Sequence, residues 1–154
     1  MPVRTETAHE LVDAIFLLGR TMRSALAHNE TAVLPNTLVG VLILLARAGE
    51  CRPSELAAEM CVSQSSLSRQ IGELVERGLV ERRPDPGDRR AHTLRCTRKG
   101  LDVLESVREL RTERLSAELA DWDQQQVDDA IAVLRRLNAS LLPIATATAQ
   151  RTSS

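Results

Sequence analysis

Aromatic residues are almost absent from this chain, which has one phenylalanine, one tryptophan and no tyrosine among 154 residues. Hydrophobic residues make up 43% of the chain and are therefore almost all aliphatic. Such a composition favours helices over an all-β fold, and the length suits one domain with a substantial core. No apolar run approaches the length of a transmembrane helix, and residues 1–15 lack a signal-peptide pattern. We therefore expect a cytoplasmic protein.

Cysteines are also few: Cys51, Cys61 and Cys96 are an odd number, and no Cys-x-x-Cys pair occurs. This count argues against a disulfide framework or a structural zinc site, so reduced thiols are expected. The three histidines stand far apart in the sequence. No Ser/His/Asp arrangement, glycine-rich phosphate loop or metal-ligand spacing is found. The sequence therefore predicts no catalytic residues, no bound metal and no cofactor.

The formal net charge of −1 at pH 7 conceals an uneven distribution. Residues 82–99 contain seven basic and two acidic residues, so this segment carries +5 and the other 136 residues sum to −6. A focused cationic segment is the distribution that contact with nucleic-acid phosphates requires. A solvated charge run has the same composition, and charge alone does not distinguish the two.

Apolar spacing predicts helices through most of the chain. Leucine, isoleucine and valine recur every three or four residues in 9–27, in 38–46 and in two long segments after Thr97, which a break at 121–123 separates. Gly49 is placed to end the second of these helices. We expect the last helix to stop near Pro143 and the tail after it to fray.

Residues 53–77 predict a short helix, a tight turn and a second, amphipathic helix. Ser63 is placed to cap that second helix, and Gly78 is placed to end it with Leu79 packing back. The buried face is expected to comprise Leu67, Ile71, Leu74 and Val75. This pattern is typical of a helix-turn-helix whose second helix enters the DNA major groove, although an ordinary amphipathic helix shows it too. The residues expected to contact DNA from these helices are small or polar: Ser54, Gln64, Ser65, Ser66, Ser68, Arg69 and Gln70.

A turn with an arginine-rich tip follows between two short predicted strands. Residues 84–87 form a proline- and glycine-containing reversal, and Asp88 is placed to accept a hydrogen bond that orients the guanidinium of Arg90. Helix, strands and tip together indicate a winged helix, which lays its wing against the minor groove. The residues expected to contact DNA here are Arg82, Asp88, Arg89, Arg90, Thr97 and Arg98.

The order and spacing of these motifs over residues 37–100 resemble the MarR (multiple antibiotic resistance regulator) family of bacterial transcription regulators. The matching parts are the serine-rich helix start, the Glu-Arg-Gly-Leu-Val helix end at 76–80 and the Asp-x-Arg at 88–90. The family motif usually closes with Leu-Thr, and this chain has Cys96-Thr97 instead. The resemblance implies that Arg90 enters the minor groove.

The resemblance also implies a mainly α fold with a two- to three-stranded β wing. It implies one domain over 1–154, in which a winged-helix lobe at 37–100 joins dimerisation helices at 6–28 and 101–145. A homodimer on a pseudo-palindromic operator follows, and we expect it to act as a repressor of transcription.

Release by a small anionic or phenolic ligand is a further implication of the family. A crevice for such a ligand is expected to be lined by Met22, Arg23, Leu26, His28, Leu34 and Leu44. Two alternatives stay open: a winged-helix module that contacts protein, and a thiol-based redox sensor. The family's peroxide-sensing branch places its cysteine in the first helix, where this chain has none. Cys51 beside Arg52 is then the candidate for a lowered thiol pKa.

Overall fold

The computed structural model describes residues 4–27, 34–88 and 90–151, and for residues 26, 27 and 144–151 it describes the backbone alone. Two units divide the chain: residues 1–36, with the first helix, and residues 37–154, with the sheet and the other helices. The predicted mainly helical fold with a small β wing is confirmed. The elements are α1 Thr5–Ala27, α2 Asn36–Ala48, β1 Glu50–Cys51, α3 Pro53–Met60, α4 Gln64–Glu76, β2 Val80–Pro84, β3 His92–Cys96, α5 Arg98–Glu118 and α6 Gln124–Arg151.

The core of the second unit is aliphatic, as the composition predicts. Helix α2 is apolar on nearly every side, and it is correspondingly buried on more than one face. Helices α3 and α4 each contribute one apolar face, and the sheet contributes side chains that point to the same interior. The fully buried aliphatic side chains of this unit include Leu38, Val41, Leu42, Leu45, Leu56, Leu67, Leu74 and Leu94.

A three-stranded antiparallel sheet has the order β1-β3-β2. Strands β2 and β3 form a hairpin in which Val80 lies opposite Cys96 and Pro84 lies opposite His92. Strand β1 is only two residues long and pairs with the other edge of β3, with Cys51 opposite Leu94. The described residues between the two strands, 85–88, 90 and 91, therefore form the wing tip at the end of the hairpin.

Glycines end α2 and α4 where the sequence predicts them. Gly49 and Gly78 have φ angles of +80° and +70°, a conformation that side chains with a Cβ rarely adopt. After α4, the Gly78 N–H donates to the Val75 carbonyl and the Leu79 N–H donates to the Leu74 carbonyl, both at 2.9 Å. This pair of bonds is the Schellman arrangement, and Leu79 is buried by it as expected.

Two predicted helix ends are wrong. Helix α1 begins at Thr5, before the first residue of the apolar stripe, because polar residues extend a helix once a stripe anchors it. Helix α6 continues through Pro143 to Arg151. Proline removes one hydrogen bond from a helix interior, but three of the residues at 145–149 are alanine, which has the highest helix propensity. Residues 144–151 therefore extend α6, which was expected to stop near Pro143.

Large apolar side chains remain exposed along α1, α5 and α6. On α1 the exposed fraction reaches 63% for Val12 and 66% for Phe16. On α5 and α6 the same is true of Leu101, Leu110, Leu115, Ile131, Val133, Leu134, Leu141 and Leu142. Apolar surface of this extent usually marks an interface. None of the helices in the described ranges is both long enough and apolar enough to cross a membrane.

Candidate DNA-binding surface

The local sequence around residue 63 fixes where α4 begins. Ser63 has an extended backbone, and its Oγ accepts a hydrogen bond from the Ser66 N–H at 3.2 Å. A helix start leaves its first N–H groups without intrahelical partners, so this serine satisfies one of them. The predicted cap is confirmed, and α4 therefore presents its first turn, beginning at Gln64, in a defined position.

The outer surface of α4 carries small side chains and one long cation. Gln64, Ser65, Ser68 and Arg69 are exposed, as is Ser54 on α3. Leu67, Ile71 and Leu74 lie buried on the opposite face. A narrow face of serines lets a helix backbone approach DNA closely, and an arginine at its centre matches the guanine edge in the major groove.

The expectation that Gln70 faces outward is wrong. Gln70 is half-buried, and its Oε1 is buried without a hydrogen-bond partner among the described residues. The reason is helical geometry: Gln70 lies three residues after Leu67 and four before Leu74, so it shares their face. Ser66 is half-buried as well. Neither side chain stands on the exposed face with Arg69.

A cavity of about 500 Å³ is lined by residues of α3, α4 and the sheet. Its floor is apolar, and its walls carry polar and cationic groups from both sides. The lining residues that bear polar groups are Arg52, Ser54, Gln64, Ser68, Arg82 and His92. The exposed face of α4 and the wing therefore flank one concave surface, whose lining includes Arg52 and Arg82.

Asp88 shapes the wing tip through the backbone. Its Oδ1 accepts a hydrogen bond from the Arg90 N–H at 2.9 Å, and its carbonyl accepts one from the Ala91 N–H at 2.9 Å. The structure thus differs from the prediction that this carboxylate orients the Arg90 guanidinium. Arg90 is exposed, and Arg89 lies outside the described residues.

Two side-chain contacts fix the base of the wing to the segment before α3. The Arg52 Nε donates to Asp85 Oδ2 at 2.7 Å, and the Thr93 hydroxyl donates to the Glu50 carboxylate. Asp85 is 8% exposed, and its Oδ1 also accepts from the Gly87 N–H at 2.8 Å. The hydrogen bond from Arg52 is the main reason that the pKa of Asp85 lies below its ordinary value, and the Gly87 bond lowers it further. The wing is therefore held by a charged pair in which one partner is almost buried.

Sequence reasoning missed these two contacts. Asp85 read as a turn residue, and its partner stands 33 residues earlier in the chain. Glu50 and Thr93 are 43 residues apart. No short spacing connects such residues, because the register of β1 against β3 brings them together.

Thr97 and Arg98 begin α5, each with a local partner. The Thr97 hydroxyl accepts from the Gly100 N–H at 3.0 Å and donates to the Gly78 carbonyl at 2.7 Å. Its single proton is therefore used, and none is left to donate to a phosphate. Arg98 is paired with Asp102 at 3.0 Å and its side chain is 89% exposed, so it stays accessible. Arg82 is exposed on β2.

The three cysteines are unpaired thiols. The expectation of a lowered pKa at Cys51 is wrong, because burial raises the pKa, and Glu55 and Glu59 raise it further. Burial, followed by the nearby Cys51, raises the pKa of Cys96 from 9.0 to about 11. Both thiols are therefore protonated at neutral pH, which disfavours a redox switch at either position. In the described ranges, no group of three or more His, Cys, Asp or Glu residues is arranged to hold a metal ion.

The residues predicted to line a ligand crevice differ in exposure. Met22 and Arg23 are exposed on α1, Leu34 is buried and Leu44 is partly buried. His28 and the side chain of Leu26 lie outside the described residues. Their joint role in binding a ligand stays a prediction.

Comparison with known proteins agrees with this geometry. The MarR family model matches residues 34–92. The HTH-type transcriptional regulator YxaD of Bacillus subtilis (strain 168) is 31% identical over 94 residues, 61% of this chain and 66% of that protein. The multiple antibiotic resistance protein MarR of Escherichia coli (strain K12) is 32% identical over 91 residues, 59% of this chain and 61% of that protein.

Solved structures share the fold over most of the chain. A MarR family protein from Bacillus stearothermophilus superposes with a TM-score of 0.77 at 19% identity, covering 91% of this chain and 99% of that one. A cysteine-to-serine mutant of Escherichia coli MarR in complex with operator DNA gives 0.60 at 24% identity, covering 82% and 97%. With its helix-turn-helix and wing arranged as described, the chain belongs to the MarR family of transcription regulators.

Proposed function

We propose that this chain forms a homodimer that reads a pseudo-palindromic operator, with α4 in the major groove and the wing tip in the minor groove. The observation that carries this proposal is the exposed face of α4, where Arg69 stands among serines beside a wing anchored by Arg52 and Asp85. The contacts in this proposal are Ser54, Gln64, Ser65, Ser68, Arg69, Arg82, Arg90 and Arg98, and a contact by Arg89, which lies outside the described residues, stays a prediction.

The dimer interface in this proposal is formed by the helices at 6–28 and 101–145. Their support is the set of large apolar side chains left exposed along α1, α5 and α6. A two-fold dimer presents two α4 helices to half-sites on one side of the duplex. Sedimentation of the intact chain as a monomer at micromolar concentration would contradict this part of the proposal.

Repression by occupation of a promoter, in the cytoplasm where bacterial DNA lies, completes the proposed role. A small anionic or phenolic ligand that changes the separation of the two α4 helices is proposed as the releasing signal. We propose no catalytic activity. A winged helix that contacts only protein is the competing function, and it predicts no binding of any duplex at moderate salt.

Alanine substitutions at Arg69 and Arg90 test the two proposed modes of contact. The probes are a duplex selected from a random library by the intact protein and a scrambled duplex of the same length. Loss of Arg69, which is proposed to read a base edge, should cost about 1–3 kcal/mol per half-site on the selected duplex and relax one operator position. Loss of Arg90 should weaken binding to both duplexes, because the minor groove attracts arginine mainly through its negative potential.

Salt titrations separate these outcomes further. Arg90→Ala should reduce the log–log salt slope by roughly 0.9 for each phosphate charge given up, and a symmetric dimer gives it up twice. Arg47→Ala is the matched control, since Arg47 is an exposed arginine on α2 outside the proposed contacts. Wild-type affinity and salt slope in Arg90→Ala would show that the wing does not contact DNA.

A further inference from the structure

Three successive carbonyl groups after α4 accept hydrogen bonds from the start of α5. The Arg77 carbonyl accepts from Lys99 Nζ at 2.8 Å, and the Gly78 carbonyl accepts from the Thr97 hydroxyl at 2.7 Å. The Leu79 carbonyl accepts from the Thr97 N–H at 3.0 Å. The turn that ends α4 and the first turn of α5 are thus joined at consecutive residues, and we call residues 77–79 with 97–100 the α4–α5 joint.

Close backbone packing reinforces the α4–α5 joint. A Cβ added to Gly100 would lie 2.1 Å from the Leu79 carbonyl oxygen, so only a glycine fits there. Gly100 is buried although it lies in the first turn of α5. The two segments therefore touch through main chain and have no soft side chains between them to absorb relative motion.

Lys99 occupies a distinct position in the joint. Helix carbonyls at a C-terminus lack intrahelical partners and carry partial negative charge, which an ammonium group satisfies. The Schellman bonds use the carbonyls of Leu74 and Val75, and the Arg77 carbonyl accepts from Lys99, outside α4. Lys99 is the chain's only lysine, beside 19 arginines. Its compact ammonium group on a flexible side chain suits a single carbonyl acceptor better than the planar guanidinium group of arginine does.

We propose that Lys99 is a positioning residue for the recognition helix: it holds the C-terminal end of α4 against α5 and so sets the angle at which α4 meets DNA. The proposal rests on the proposed use of α4 to read DNA. Its competitor is a direct phosphate contact, which the position of Lys99 inside the basic segment 82–99 favours at first sight. The two roles differ in what the loss of Lys99 does to sequence-independent binding.

The test compares Lys99→Met with Arg98→Met, two neutralisations at adjacent residues. Arg98 forms an ion pair along its own helix, with Asp102, and serves as the phosphate-contact reference. Affinities of the intact dimer are measured by fluorescence anisotropy for the selected duplex and its scrambled counterpart at four salt concentrations. Circular dichroism melts check that each variant is folded.

Lys99→Met should lower the ratio of selected to scrambled affinity by roughly 3- to 30-fold. This is the factor that one cation contributes at a helix C-terminus, squared because a symmetric dimer loses the cation in both protomers. Its affinity for the scrambled duplex and its salt slope should stay near wild type. Arg98→Met should lower both affinities together and reduce the salt slope. Lys99→Gln, which keeps an N–H donor without the charge, should retain more of the ratio than Lys99→Met, and it provides the same comparison if methionine impairs folding.

Three results distinguish a failure of the Lys99 proposal from a failure of the proposed function. A fall in both affinities with a salt slope reduced by roughly 0.9 per protomer would make Lys99 a phosphate contact and overturn the proposal. A wild-type ratio in Lys99→Met and Lys99→Gln would overturn it too. Arg69→Ala is measured alongside: if it leaves the ratio unchanged, α4 does not read the sequence and the proposed function itself fails, whatever Lys99 does.

Discussion

Replacing Gly100 with alanine should destabilise the protein, although alanine is the better helix former. The added Cβ would meet the Leu79 carbonyl oxygen at 2.1 Å, and contacts of a Cβ below 3.0 Å essentially do not occur. The first turn of α5 must therefore retreat by about 0.9 Å from Leu79. The obstacle is backbone, so no side-chain rotation relieves it.

The cost follows from the bonds that such a retreat breaks. The Thr97 N–H to Leu79 carbonyl bond at 3.0 Å and the Thr97 hydroxyl to Gly78 carbonyl bond at 2.7 Å would both exceed hydrogen-bonding distance. Two bonds at about 1 kcal/mol each, with about 1 kcal/mol for strained packing, oppose a gain of up to about 1 kcal/mol in helix propensity. We expect a net loss of about 2 kcal/mol, or roughly 4–8 °C in Tm.

Urea unfolding followed by circular dichroism measures this loss at one fixed protein concentration, since the proposed dimerisation would make stability concentration-dependent. Gly72→Ala is the matched control, because a Cβ at Gly72 meets nothing within 4 Å. That variant should be more stable than wild type by about 0.5–1 kcal/mol. If Gly100→Ala gains stability in the same way, the close approach of α5 to Leu79 is refuted.

Two further predictions concern the start of α4 and the anchor of the wing. Ser63→Ala should cost about 1 kcal/mol in urea unfolding, because the Ser66 N–H loses its cap, and an unchanged midpoint would contradict the cap. Asp85→Asn should be less stable than wild type at pH 7. Because the bond from Arg52 lowers the folded-state pKa of Asp85, the difference should persist down to the unfolded value of 3.8 and close as the pH falls through the folded value. Unfolding midpoints from pH 7 to pH 2 measure it, and a constant difference would contradict the pairing.

Periodicity and glycine placement made much of the fold predictable. Of the four apolar residues expected on the buried face of α4, Leu67, Ile71 and Leu74 are buried and Val75 is half-buried. The end of α4 follows from Gly78, since a left-handed residue with an apolar successor specifies the Schellman arrangement. Such features depend on residues within one or two turns of each other, so the sequence displays them directly.

Other features depend on where a residue lies in a helix or in the tertiary structure, and residue type alone does not predict them. Gln70 is polar, which favoured an outward orientation, yet its place in the helical period leaves it half-buried on the side of Leu67 and Leu74. Pro143 read as a stop, but a helix tolerates one proline when the residues after it favour helix. The Arg52–Asp85 pair and the Lys99–Arg77 bond join residues 33 and 22 positions apart, so only the tertiary structure reveals them.

The segment before α3 contacts residues far along the chain, and this has a consequence for the order in which the chain folds. The β2–β3 hairpin pairs residues from 80–84 with 92–96, so it closes a short loop and forms early. Strand β1 must wait, because the partners of Glu50 and Arg52 lie 43 and 33 residues further along. Non-local pairings of this kind are expected to form late, after the intervening α3 and α4 have packed against each other. We therefore expect the wing to form first as a hairpin and to acquire its fixed direction when β1 docks.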